Sequence, residues 1–446
     1  MCLSVPSKVL DVYLNEYEAK VEYLGARFVV GIRLLERVEP GMYVLVHAGE
    51  AIQIIDEERA LDGLRLWKEM LGKNMNIISF RDPDQFERMF LQMEPHFLQA
   101  RERLGRKLRF MEVCGTHSVA FSKTGLRQRL SPYIDLVSGP GCPVCVTAQS
   151  DIDQMIAYAG IQEVILTTYG DMMKVPGSHS NLEKEKANGT NIHILKSASE
   201  AISLAKQYPK KTVILLAVGF ETTAPGVALS LIRAKEEKLS NYFVYSAHKL
   251  TPPALDALLD DPDHQLDGFL LPGHVSVIIG RRGWLHLEKQ NIPAVISGFE
   301  AIDMLMAVGV LTMELSRYDH KLHNLYPRFV AEEGNAVAQK MMDSCFISSS
   351  PSWRGFGDLP DSGLQIRREY SPFDASIHLI TDKPKTKEIK GCQCSEIVKG
   401  KTSPFECKLF GKACTPSHPL GPCMVSGEGT CSTYYHYERN KERTRS

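Results

Sequence analysis

The sequence predicts an α/β main body, with a small β-barrel ahead of it and a cysteine-rich metal-binding region behind it. Three observations lead there. Short strand-like segments crowd into the first 56 residues; from about residue 105, longer apolar segments alternate with helical stretches; and six of the eleven cysteines lie between Cys392 and Cys431. A chain of 446 residues is too long for one ordinary core, so several domains are expected.

In the first region, Val9-Leu10-Asp11-Val12-Tyr13-Leu14, Ala19-Lys20-Val21-Glu22-Tyr23-Leu24, Phe28-Val29-Val30-Gly31-Ile32 and Tyr43-Val44-Leu45-Val46-His47 read as strands. The second alternates apolar and polar residues at period two, and Glu39-Pro40-Gly41 marks a turn before the fourth. Strands this short and closely spaced are accommodated by a closed barrel. Residues 57–71 then place Leu61, Leu64, Leu66, Trp67, Met70 and Leu71 on a helical face. Gly72-Lys73-Asn74 stops that helix, so a first domain spans 1–74.

In the body, the strands are expected at Leu108–Val113, Ile134–Val137, Val164–Thr167, Val213–Val218, Tyr242–Tyr245, Phe269–Leu271 and Ala294–Ile296. Near-continuous apolar runs suit parallel sheets covered on both faces. The expected division is two α/β domains, 76–210 and 211–325. Most of these strands run into a polar, glycine-containing turn, such as Cys114-Gly115-Thr116-His117 or Gly139-Pro140-Gly141-Cys142. Sites in open α/β sheets form at the carboxyl ends of strands, so the chemistry should gather on one edge. After about residue 325 the pattern weakens into a last domain, 326–438. Its lysine-rich stretch over 383–391 reads as a solvated connector.

Composition narrows the function. Net charge is −1, which gives no electrostatic case for nucleic acid. No apolar run is long enough to span a membrane. Met1-Cys2-Leu3-Ser4-Val5-Pro6 carries neither a basic segment nor a long apolar core, so a cytoplasmic chain is expected. There, eleven cysteines point to metal binding or redox chemistry rather than to disulfide staples.

The C-terminal cysteines sit among prolines and glycines that let distant thiolates converge. Zinc sites usually show paired C-x₂₋₄-C knuckles, and this segment has none. Cys394, Cys407, Cys414 and Cys431, with 12, 6 and 16 residues between them, favour a [4Fe–4S] cluster. Cys392 lies beside Cys394, so one of that pair is spare, and Cys423 is the next candidate. Cys142-Pro143-Val144-Cys145 follows a strand and reads as a redox dithiol, or as half a metal site. Cys114 and His117 lie three residues apart beyond another strand; they suit iron ligation or a Cys–His nucleophile pair. Loss of Met1 would leave Cys2 as a terminal thiol, a ligand able to reach a shared site. His47 closes a strand in the same small domain. Cys345 lies outside every motif and reads as a buried thiol.

Together these motifs resemble two [NiFe] hydrogenase maturation families, fused. Met1-Cys2-Leu3-Ser4-Val5-Pro6, Lys8-Val9 and Tyr43-Val44-Leu45-Val46-His47-Ala48-Gly49 resemble HypC. Phe80-Arg81-Asp82-Pro83, Met111-Glu112-Val113-Cys114-Gly115-Thr116-His117, Gly139-Pro140-Gly141-Cys142-Pro143-Val144-Cys145, Val218-Gly219-Phe220-Glu221-Thr222-Thr223, Pro272-Gly273-His274-Val275 and Met424-Val425-Ser426-Gly427-Glu428-Gly429 resemble HypD. The families are usually separate chains.

The resemblance implies an OB-like barrel with a helix, two α/β domains and a cluster-binding domain. It implies a scaffold on which iron receives two cyanides and one carbon monoxide. Cys2 and Cys114 would hold that iron, with His117 close by; His47, read from its place at the end of a barrel strand, is a further candidate ligand beside Cys2. Cys142 and Cys145 would be the redox dithiol beside a [4Fe–4S] cluster. The implied partners are a HypE-like cyanide donor and the hydrogenase large-subunit precursor. His274, Glu221 and Glu300 would either line the donor-facing cleft or serve local turns. The rival readings are an iron–sulfur thiol–disulfide oxidoreductase with a soluble substrate and a zinc-stabilised binding module.

Overall fold

The computed structural model describes residues 5–13, 17–23, 26–35, 37–47, 50–57, 83–318, 320–381, 386–387 and 389–439. The expected helix at 57–71 and the boundary at Gly72-Lys73-Asn74 lie outside these residues, apart from Glu57.

Strands β1 (Val5–Tyr13), β2 (Glu18–Tyr23), β3 (Ala26–Gly31), β4 (Tyr43–His47) and β5 (Glu50–Ile55) close a barrel in the order β1-β2-β3-β5-β4. β1 runs antiparallel to both β2 and β4, and β3 meets β5 in parallel at Gly31 and Glu50. β4 shows why the barrel sits on the body. Val44 and Val46 belong to the barrel interior, with Val9, Val21, Val30 and Ala51. Tyr43 and Leu45, on the opposite face at period two, join the core of the body together with Leu34, Ile52 and Ile55. β5 went unforeseen because Glu50-Ala51-Ile52-Gln53-Ile54-Ile55 has no clean alternation; its pairing with β4 supplies the strand.

The body contains two all-parallel sheets. β6 (Leu108–Glu112) and β7 (Ile134–Ser138) lie in one, followed by β8 (Val164–Thr168), β9 (Asn191–Ile194), β10 (Thr212–Ala217) and β11 (Tyr242–Ser246) in the other. β12 (Gly268–Pro272), β13 (Ala294–Ser297) and β14 (Leu322–Asn324) then return to the first. The orders are β14-β13-β12-β6-β7 and β11-β10-β8-β9. Sheet membership therefore does not follow chain order: residue 210 falls between β9 and β10, two strands of one sheet. The physical reason is that β12 finds its partner in β6, far back in the chain, which no local pattern records. β9 and β14 went unread because both are short edge strands without an apolar run; Ile194 in β9 is 54% exposed.

The helix Pro83–Leu104 buries Phe90 and Phe97 against the helix Ala301–Arg317 on one face of the first sheet. The C-terminal region is built of short pieces, including the helices Cys394–Val398 and Thr430–Tyr437, folded back over the carboxyl edge of β6 and β7. No helix among the described residues is long and apolar enough to cross a membrane.

Candidate metal and redox centre

β6 and β7 are neighbours in register, with Glu112 opposite Ser138, so the two motif turns that follow them emerge side by side. Glycines let them touch. Gly115 N–H donates to Gly141 O at 3.2 Å. A Cβ on Gly141 would lie 2.3 Å from Val113 O and 2.6 Å from Cys114 Cα, and one on Gly115 would lie 2.5 Å from Glu428 O. The CGTH turn, the GPGC turn and the C-terminal Gly427-Glu428-Gly429 segment thus meet at one point.

Cys114 is buried, and its thiol is pushed up to about 12, first by burial and then by the charge of Glu428. Glu428 also accepts a hydrogen bond from Thr116 Oγ1 at 3.1 Å. His117 is fully buried and lowered to about 4 by that burial, so its imidazole is neutral at pH 7. Its Nε2 lies 3.0 Å from Gly298 O, at the end of β13. A carbonyl can only accept, so Nε2 carries the hydrogen and Nδ1 presents a lone pair. Nδ1 has no hydrogen-bond partner among the described residues. A neutral imidazole anchored through one nitrogen, with the other open, is the form that ligates metals. Phe299 holds the ring in place, 4.6 Å away, and itself stacks on His274 at 4.3 Å.

Behind Cys114, Glu112 accepts from Ser118 Oγ at 2.6 Å and pairs with Arg127. Arg127 also donates to Leu136 O at 2.6 Å and to Tyr434 OH at 3.1 Å. That network ties β6 and β7 to the C-terminal helix that carries Cys431.

Cys142 and Cys145 are disulfide-bonded, with Cα atoms 5.3 Å apart, inside the usual range. Cys142 caps the short helix Pro143–Val146 and accepts from Cys145 N–H at 3.3 Å. That helix packs against the helix Cys394–Val398 and the turn Pro422–Met424, so the disulfide adjoins the C-terminal thiols.

All six C-terminal cysteines are gathered. Cys394 lies within hydrogen-bond reach of Cys392, with sulfurs 3.2 Å apart, and of Cys423 and Cys431. Cys414 feels the charges of Cys392 and Cys407 and accepts from Leu420 N–H at 3.4 Å. Gly421 makes room: a Cβ there would lie 2.6 Å from the Cys394 sulfur and 2.7 Å from that of Cys392. Cys392 is lowered to about 6, first by its hydrogen bond with Cys394, while Cys394, Cys423 and Cys431 are held well above the ordinary thiol range.

Among the described residues no three His, Cys, Asp or Glu side chains already surround a single point as a mononuclear ion requires. A cube distributes its four thiolates over four irons, so its ligands need not converge on one atom. The donor set, six thiols gathered in one place, is compatible with binding a metal or a cluster.

Residues 92–438 match the family described as HypD, hydrogenase formation hypA family, and residues 1–67 match the HupF/HypC family. The chain belongs to the HypD family. It carries a HypC-family domain fused at its N-terminal end. A putative hydrogenase expression/formation protein of Methanocaldococcus jannaschii is 42% identical over 75% of this chain and 93% of its own length. The hydrogenase maturation factors HypD of Cupriavidus necator and Escherichia coli are 37% and 35% identical over 82% and 81% of this chain, and 98% of each relative.

For this HypD-family chain, Cys114 and His117 come together with the Cys142–Cys145 pair. Cys394 meets Cys431, and Cys407 and Cys414 join them through Cys392. Cys2 lies outside the described residues; His47 ends β4, and its side chain lies outside them too. Cys345 is buried and donates to Ala228 O at 3.4 Å, far from the thiol group in sequence and element. Glu221 turns out to cap a helix, accepting from Thr251 N–H at 2.6 Å and Thr251 Oγ1 at 2.9 Å. Glu300 does the same for Ala301–Arg317, in a capping box with Asp303. His274 is in the aromatic stack beside His117. Sequence reasoning missed Glu428, Phe299 and Arg127 as parts of this site. Glu428 had a signal, since it stands inside the quoted Met424–Gly429 motif; Arg127 had none, because its partners are 15 and 307 residues away.

Proposed function

We propose that this chain builds an iron unit bearing two cyanides and one carbon monoxide and delivers it to a [NiFe] hydrogenase large-subunit precursor, working in the cytoplasm. The observation that carries the reading is the convergence of Cys114, the open nitrogen of His117, the Cys142–Cys145 disulfide and the C-terminal thiols at the carboxyl edge of β6 and β7. Iron, here the cargo, is held between Cys2 of the barrel and Cys114, with His117 beside it and His47 on the barrel side. Unliganded, the Cys114 thiol keeps its proton, because burial and Glu428 oppose its ionisation. A dicationic iron reverses that balance and draws out the thiolate. The Glu428 carboxylate, bonded to Thr116, is a base at hand for the released proton. Soft thiolates suit a low-spin iron carrying strong-field ligands.

Cys142 and Cys145 are the redox pair: the disulfide takes up two electrons and two protons to give two thiols. A [4Fe–4S] cluster, when bound, supplies single electrons beside that pair. Cys407, Cys414 and Cys431 provide three of its ligands, and the Cys392–Cys394 pair provides the fourth, with Cys394 the ligand expected from spacing. Single alanine variants at Cys392, Cys394 and Cys423 identify it by which one loses iron. The cyanide equivalent comes from a HypE-like donor.

The deciding experiment is an infrared spectrum of the anaerobically purified chain, co-produced with that donor. Bands of metal-bound cyanide and carbon monoxide are expected, and they should disappear in Cys114→Ala and Cys2→Ala. A spectrum empty in that region, from protein with intact cluster absorbance, would replace this reading with a thiol–disulfide oxidoreductase.

A further inference from the structure

We propose that Arg354 is a positioning residue that holds a positive charge between the Cys142–Cys145 segment and the C-terminal thiols, and so raises the reduction potential of the cluster they bind. The inference rests on the reading that those thiols hold a [4Fe–4S] cluster.

Arg354 is tied to the dithiol segment twice. Its backbone N–H donates to Val146 O at 2.8 Å, the residue after Cys145, and its neighbour Trp353 forms a bridge with Thr147. Trp353 is itself fixed by an Nε1–H bond to Ser362 Oγ at 2.8 Å. On the other side, Gly355 lies against the cysteine loop: a Cβ there would sit 2.8 Å from Ser395 O, and its φ of +90° is one that glycine tolerates. The turn 353–355 is therefore a wedge between the two sulfur groups.

The guanidinium is aimed and incompletely satisfied. Both terminal nitrogens donate to Gln149 Oε1 at 3.2 Å, a neutral acceptor. Nε is shielded from solvent and has no hydrogen-bond partner among the described residues, nor does any carboxylate there pair with the group. Arg354, Gln149, Cys392 and Cys394 line one cavity of about 580 Å³, within the range of small-ligand sites, and the charge of Arg354 is felt at Cys392. A half-buried cation without a carboxylate is costly unless an anion stands opposite. Four thiolates on an iron–sulfur cube supply that anion. Adding an electron makes the cube more negative, so a fixed neighbouring cation favours the reduced form. The reaction it tunes is a one-electron uptake by the oxidised cluster from an external reductant, with no bond made or broken at Arg354.

The test is an anaerobic redox titration of the full chain, followed by electron paramagnetic resonance, with iron and sulfide content measured on the same samples. Arg354→Gln removes the charge and should move the potential to more negative values with iron and sulfide unchanged. Arg354→Lys should retain most of the wild-type potential. Gln149→Leu, which removes the tether but keeps the charge, should give a smaller shift in the same direction and serves if the Gln variant fails to fold. Equal potentials in wild type and Arg354→Gln, or equal losses in the Lys and Gln variants, overturn the proposal. Wild type that takes up no iron and sulfide overturns it together with the cluster reading. Absent infrared bands with a potential that still follows Arg354 would sink the maturation reading alone.

Discussion

Glu112 and Glu50 are both buried carboxylates at a junction between two parts of the chain, and their surroundings are opposite. Glu112, between the first sheet and the C-terminal region, is paired with Arg127 and bonded to Ser118, and Arg127 reaches on to Tyr434. Glu50, between barrel and body, has only hydroxyls: Oε1 accepts from Ser197 Oγ at 3.0 Å and Ser199 Oγ at 3.2 Å. Its Oε2 has no hydrogen-bond partner among the described residues, and no cation there lies in ion-pair range. Gly31 gives it space, since a Cβ there would sit 1.9 Å from Oε2. Arg233 acts on it only through space, and the charge of Glu18 stands on the same side of the balance as its burial. The result is a carboxyl raised to about 7, chiefly by burial. A buried carboxylate in an otherwise apolar contact of Tyr43, Leu45, Ile52 and Ile55 weakens that contact when ionised. One junction is built to stay closed. The other holds a buried carboxyl with no cation beside it among the described residues, so its strength should depend on pH.

The largest effect should come from breaking the closed junction. Arg127→Ala leaves Glu112 buried and uncompensated, which costs about 3–5 kcal/mol. Chemical denaturation should show that loss, and the variant should also bind less iron, because Tyr434 shares its helix with Cys431. A wild-type denaturation midpoint would mean that the pair holds nothing together.

The junction at Glu50 should respond to pH. Docked, Glu50 titrates at about 7; undocked, at its ordinary value of 4.5. Docking therefore takes up a proton. It is strongest below the undocked value, falls away as pH rises from 4.5 to 7, and levels off above that. Between pH 6 and pH 8 docking should weaken about tenfold by linkage. Hydrogen exchange of β5 and of the helix Ser199–Gln207 reads this, with β13 amides as the internal reference. A pH-independent difference between these segments would remove the carboxyl from the docking equilibrium.

Glu50→Gln sharpens the point, because it is neutral throughout. It should match wild type only below about pH 4, and exceed it in docking about 30-fold at pH 6 and about 300-fold at pH 8. A variant that loosens on alkalinisation as much as wild type does would assign the effect to another group.

The smallest effect belongs to the ion pair at the rim, Arg33 with Glu236 at 3.0 Å, where Glu236 is largely exposed. Arg33→Ala should change docking by less than about 1 kcal/mol and only at low salt. A larger loss would mean that charge, not the apolar contact, holds the barrel.

Much of the fold was legible locally. The runs at Val213–Val218 and Phe269–Leu271 are apolar because parallel strands are covered on both faces, and period-two β4 is a strand by its alternation. β5, β9 and β14 were not legible, since short strands take their conformation from a neighbour's hydrogen bonds rather than from their own side chains. Of the site, Cys114, His117, Cys142, Cys145 and the C-terminal cysteines stood out as reactive residue types in glycine-bounded turns. The sequence by itself determined these elements and this inventory of ligands, because hydrophobic period and thiol spacing are properties of neighbouring residues. Only the tertiary structure decided that β12 pairs with β6 across an inserted sheet, that Arg127 joins Glu112 to Tyr434, that Cys392 links the thiols, and that Arg354 stands between dithiol and cysteine loop. Each is a contact between distant residues, and its energy depends on burial and mutual distance, which exist only once the chain has folded.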